Sequence, residues 1–139
     1  MSPMFQQGIT FLYTRDLVRT AEFYERVLGL PLARDQGDCR IYHVSEAAYV
    51  GFCCRAAPVS PEGVLITFVV EAVDAWAERL RAAGVSLEKE PAYNSKYGIY
   101  HLFFRDPNGY LIEVQRFDEP LTGEMKERST GRVETGEAT

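Results

Sequence analysis

The stretch DLVRTAEFYERVLGL, residues 16–30, has a counterpart in AVDAWAERLRAAGVSL, residues 72–87, displaced by 55 to 56 positions. In the first copy Leu17, Ala21, Tyr24, Val27 and Leu28 recur at helical spacing, Asp16 supplies an N-cap carboxylate, and Gly29 supplies the stop. In the second, Val73, Trp76, Ala77, Leu80 and Ala83 form the apolar stripe and Gly84 ends it. An internal repeat of one supersecondary unit implies two copies that complete each other's core.

Working outward, each helix lies between strands. Ile9–Tyr13 precedes the first helix; Leu30–Ala33, Arg40–Val44 and Ala48–Cys54 follow it, the last two forming a hairpin around a Ser-Glu-Ala turn. Val64–Val70 precedes the second helix. After it come a short strand Val85–Glu88, a polar loop from Pro91 to Tyr97, a strand Ile99–Phe104, the turn Asp106-Pro107-Asn108-Gly109, and a last strand Tyr110–Phe117. The expectation is an α+β fold of two βαβββ modules, residues 8–55 and 64–117, joined by a linker 56–63 that carries Pro58, Pro61 and Gly63. Together they make one domain over 1–118. Residues 119–139 are polar, lack aromatic residues, and read as a mobile tail or a short helix.

Bulk properties exclude several classes. The 139 residues are 46% hydrophobic and 25% charged, ordinary for a folded domain. A formal charge of -5 argues against nucleic-acid or anionic-membrane partners. No apolar run approaches the roughly 20 residues that span a bilayer, and the first seven residues lack a secretory pattern. Cys39, Cys53 and Cys54 are an odd set without zinc-type spacing, read as reduced thiols of a cytoplasmic protein with Cys53 or Cys54 in a core.

Two runs resemble a known family. Arg15-Asp16-Leu17 followed by Phe23-Tyr24 and Leu28-Gly29 is similar to the first-module signature of the vicinal oxygen chelate superfamily, which joins glyoxalases, bleomycin-resistance proteins and extradiol dioxygenases. Phe104-Arg105-Asp106-Pro107-Asn108-Gly109-Tyr110-Leu111-Ile112-Glu113 is similar to its second-module signature. The resemblance covers residues 8 to 117. It implies two open sheets forming a cupped, partly closed barrel around one cavity, and commonly a homodimer that pairs modules across the interface.

Metal-dependent members of that family place a ligand on the first strand of each module and a glutamate on the last strand. Carried onto this chain, those positions fall on Ile9, Leu65 and Glu113. Neither hydrocarbon side chain offers a lone pair, and a single carboxylate holds a divalent ion poorly. The resemblance therefore implies a chain with no metal site and no cofactor. The alternative is a divalent metal on His101, Glu113 and one further ligand, with Gln6, Gln7 and His43 also at hand.

Strand alternation then fixes the cup's lining. If Glu113 faces inward, as the family implies, so does Gln115; the ligand-equivalent positions bring Phe11, Tyr13 and Thr67 inward with them. Phe103 falls where extradiol enzymes carry an active-site tyrosine, and its parity puts His101 on the same face. His101 and Glu113 on adjacent antiparallel strands suit either an acid/base pair or a buried ion pair. Tyr97-Gly98 falls where bleomycin-resistance proteins carry Trp-Gly beside the drug, so Tyr97 is a candidate to stack on a planar ligand. Two functions follow. The preferred one is binding of a small aromatic or amphipathic molecule without the usual metal triad. The other is a lyase, isomerase or dioxygenase of the same superfamily, using a non-standard metal or His101/Glu113 chemistry.

Overall fold

A computed structural model describes residues 4–121. The first module runs β1 (Gly8–Thr14), α1 (Leu17–Glu22), β2 (Leu32–Asp35), β3 (Cys39–Ser45) and β4 (Ala48–Cys54). The second runs β5 (Leu65–Val69), α2 (Val73–Ala82), β6 (Leu87–Asn94), β7 (Ile99–Arg105) and β8 (Leu111–Phe117). The sheets have the same topology, β1-β4-β3-β2 and β5-β8-β7-β6, with the first and last strands of each module parallel and the rest antiparallel. The repeat in sequence is thus a repeat in space. The two sheets form an open cup, and β1 and β5 each have one unpaired edge.

Alternation sorts the strands' side chains. On β1, Leu12 and Thr14 are buried while Phe11 and Tyr13 are half-exposed on the other face. The buried faces pack with the helices into one cluster that includes Tyr24, Tyr42 and Phe52 from the first module and Leu80, Leu102, Phe104 and Ile112 from the second. Burying a side chain of this size stabilises by about 1.5–3 kcal/mol each. The Tyr24 ring lies 4.4 Å from that of Phe52, and Phe23 reaches across to Phe104. Asp16 caps α1 by accepting from Arg19 N–H at 3.0 Å. Gly29 and Gly84 end the two helices at φ +73° and +82°, a conformation that side chains with a Cβ resist.

The Asp106-Pro107-Asn108-Gly109 turn clasps the modules together. One Asp106 oxygen accepts from the backbone N–H groups of Asn108 and Tyr110; the other accepts from the Tyr24 hydroxyl at 2.8 Å. Asn108 also reaches Thr14 and Thr20 of the first module. Burial raises the Asp106 carboxyl above its ordinary value, although these donors pull it down. Burial, with Asp106 nearby, likewise raises the Tyr24 hydroxyl.

Four expectations need correction. The polar loop from Pro91 is strand as far as Asn94: β6 is an edge strand with register shifts on either side of Lys89, where Pro91 costs no ladder hydrogen bond. The first helix widens into a π-helical turn over Phe23–Val27, with Leu28 N–H bonded back to Phe23. β2 begins two residues later than expected, beyond Pro31. Finally, Cys39 and Cys53 are not free thiols. They are direct cross-strand partners on β3 and β4 and form a disulfide, while Cys54 points the other way and is exposed rather than in the core. The pairing removes the support that three reduced thiols lend to a cytoplasmic location. Among the described residues no helix is long and apolar enough to cross a membrane. The tail, from residue 122 onward, lies outside the described residues.

Candidate functional site

The site begins with a carboxylate on the cup side of a sheet. On β8, Ile112 and Val114 face the core, so alternation turns Glu113 and Gln115 to the opposite side. Glu113 is nevertheless only 6% exposed. A carboxylate removed from water to that degree needs donors, or burial would cost several kcal/mol. Thr67 on β5, its register partner, donates Oγ1–H to Oε1 at 2.9 Å. His101 on β7 supplies the second contact, Nδ1 to Oε2 at 2.6 Å.

The register explains the reach of that contact. Phe103 is directly opposite Glu113, and His101 is opposite Gln115, so the imidazole leans diagonally over the ladder to the carboxylate. His101 is 3% exposed, with its ring edge-on to Phe103 at 4.9 Å between centroids. Its second nitrogen is also engaged. Lys89 Nζ on β6 lies 3.2 Å from Nε2. An ammonium can only donate, so Nε2 accepts and Nδ1 carries the proton given to Glu113. The result is a chain of four side chains across all four strands of the sheet: Lys89, His101, Glu113, Thr67. Gln115 completes the floor; its buried carboxamide oxygen has no hydrogen-bond partner among the described residues.

Five of the expected residues thus share one face of one sheet: Thr67, His101, Phe103, Glu113 and Gln115. Phe11 and Tyr13 belong to the other sheet. The Phe11 ring lies so close over β4 that a Cβ at Gly51 would meet it at 2.6 Å, so a side chain there would require the ring to move. The Tyr13 ring sits beneath the Arg55 guanidinium at 4.6 Å. Tyr97 stands apart, 64% exposed in the turn before β7, with the Lys96 ammonium over its ring. Lys89 was missed by sequence reasoning because β6 reads as ending at Glu88. Continued through the bulges, the strand would have placed Lys89 beside Phe103.

Ile9 and Leu65 are half-exposed hydrocarbon side chains on different sheets, and among the described residues no three His, Cys, Asp or Glu groups could hold an ion. With Ile9, Phe11, Tyr13, Leu65 and Val69 all between 43% and 58% exposed, the leading strands of both modules present an uncovered apolar strip. A pocket of about 430 Å³ opens at the seam between Leu30, Val44 and Ala48 of the first module and Thr67, Val69 and Trp76 of the second.

Comparison with known proteins gives a consistent picture. The family description "Glyoxalase/Bleomycin resistance protein/Dioxygenase superfamily" matches residues 6–114. An Arabidopsis thaliana protein named Glyoxylase I 4 is 26% identical over 134 residues, which is 86% of this chain and 76% of that protein. An integron cassette protein from the mobile metagenome of a Halifax Harbour sewage outfall superposes with a TM-score of 0.71 at 22% identity, covering 80% of this chain and 97% of its own. Lactoylglutathione lyase from Agrobacterium tumefaciens superposes with a TM-score of 0.66 at 20% identity, covering 84% and 96%.

Proposed function

Because the chain belongs to the glyoxalase/bleomycin resistance protein/dioxygenase superfamily, we propose that its cup binds a small aromatic or amphipathic molecule without the family's usual divalent metal. The observation that carries this reading is the pairing of an uncovered apolar strip with a buried carboxylate–imidazole contact. Apolar walls around a few converging polar groups are the ordinary composition of a small-ligand site. Phe11, Tyr13 and Phe103 supply the walls; His101, Glu113, Thr67 and Gln115 supply the polar floor.

The donor set does not suit a metal. Two of the three family positions are hydrocarbon, and Glu113 is committed to Thr67 and His101. Both imidazole nitrogens are occupied, and a cation on Nε2 would have to displace another cation, Lys89. A second reading, acid/base chemistry, is favoured by the Glu113–His101 contact, which holds the imidazole in one tautomer. A homodimer also fits. The unpaired edges of β1 and β5 and the apolar strip beside them are surfaces that a second copy would cover.

The test is elemental analysis of untagged protein with thermal melts in manganese, iron, nickel and zinc. The expected result is no stoichiometric metal and no rise in Tm, because only an ion that binds the folded state stabilises it. Stoichiometric metal or a clear rise would overturn the metal-free reading and assign His101 and Glu113 as ligands. Sedimentation of the same sample reads the oligomeric state.

A further inference from the structure

Lys89 stands in an unusual electrostatic position. The chain has 20 acidic residues against 15 basic ones, and Lys89 lies between Glu88 and Glu90. Neither glutamate is its partner. Glu88 is held by the Arg105 guanidinium at 2.9 and 3.0 Å, and Glu90 by Arg81. The arginine pairings are the reason, not strand alternation, which the register shift between Leu87 and Lys89 breaks at Glu88. The remaining carboxylate of this face, Glu113, is engaged by Thr67 and by the far side of the His101 ring. The ammonium's polar contact is therefore the imidazole Nε2, at 3.2 Å, and no carboxylate lies within 4 Å of it among the described residues.

The surroundings of Nζ give the missing counter-charge a shape. Nζ lies 5.8 Å from the centroid of the Phe103 ring, on the same side as the His101 ring, which stands edge-on to Phe103 at 4.9 Å between centroids. A flat group lying on Phe103 would carry a substituent to the ammonium. We propose that Lys89 anchors an anionic ligand, specifically a planar aromatic or conjugated carboxylate, with its oxyanion on Nζ and its plane on Phe103. This deepens the reading of the cup as a small-molecule site and rests on it. The carboxylate would supply the charge that Glu88, Glu90 and Glu113 do not. A hydrogen bond between charged groups is roughly twice as strong as a neutral one. Selectivity for the anion over its neutral isostere follows.

The experiment compares 2-naphthoate with 2-naphthamide, nearly the same shape with and without charge, by calorimetry at neutral pH against wild type, Lys89→Gln and Lys89→Arg. Lys89 is exposed on an edge strand, so both variants are expected to fold. The expected result is naphthoate binding to wild type about tenfold or more tighter than the amide, a preference lost in Lys89→Gln and retained in Lys89→Arg. Naphthoate should also shift the His101 ring resonances in NMR spectra of wild type. Equal binding of the two probes, or a preference that survives Lys89→Gln, overturns the anionic site and leaves the cup reading standing. If neither probe binds at millimolar concentration, the anionic site and the cup reading both fall.

Discussion

The Tyr24 hydroxyl donates to the Asp106 carboxylate at 2.8 Å, joining the first helix of one repeat to the final turn of the other. Tyr24 is fully buried and Asp106 is 5% exposed, so the bond is made where water cannot replace it. The aspartate of the Asp-Pro-Asn-Gly run is therefore a structural clasp, distant in role from the Glu113 that closes the same run.

Tyr24→Phe removes that donor with little change in packing. It leaves one Asp106 oxygen with only the longer contact from Asn108. The expected loss is about 1–3 kcal/mol of stability, the cost of an under-satisfied buried acceptor. Urea denaturation with an unchanged m-value would measure it; a variant as stable as wild type would show that the clasp contributes nothing.

Asp106 also predicts a pH dependence. Burial raises its carboxyl in the folded state, so the folded chain holds that proton more tightly than the unfolded one. Its contribution is then fully present below the unfolded value near about pH 3.9, and is lost as pH rises through the elevated folded value. Asp106→Asn removes this titration. Across a series from pH 3.5 to about 7, wild type should lose stability relative to the variant. The opposite slope would mean that the hydrogen bonds outweigh burial.

The Glu113 contacts differ in kind, and their removal should differ in size. Thr67→Val deletes a neutral donor and should cost about 1 kcal/mol. His101→Leu leaves the buried carboxylate with a single donor, and should cost more, about 1.5–3 kcal/mol, because the acceptor that loses its partner is charged. Chemical denaturation of the two variants and of Glu113→Gln orders these effects. A His101→Leu variant no less stable than Thr67→Val would show that the imidazole contact contributes no more than a neutral hydrogen bond.

The architecture was legible because the apolar stripes and turn residues of the two halves agree with each other. The helix stripes, the Gly29 and Gly84 stops and the two β-rich leaders each point to the same unit. What failed was local. Pro91 and the charged run around Lys89 read as loop, because an edge strand that bulges and faces water loses the clean alternation that marks a strand. With β6 cut short, Lys89 had no face, and the cationic end of the His101–Glu113 chain went unseen. The Cys39–Cys53 pair was hidden for a similar reason, since spacing alone does not show which residues of two strands stand opposite. The inward face of Glu113, by contrast, needed only parity.

The parallel pairing of β1 with β4 and of β5 with β8 has a consequence for how the chain reaches this structure. Gly8 meets Ala48, and Leu65 meets Leu111, so the strand that opens each module is secured only by the strand that closes it. Such long closures set a slow, high-contact-order step in folding. During synthesis the first sheet can be complete before the second has emerged. Until then the Asp106 clasp does not exist, and the face that Tyr24 turns toward it waits for the end of the second module.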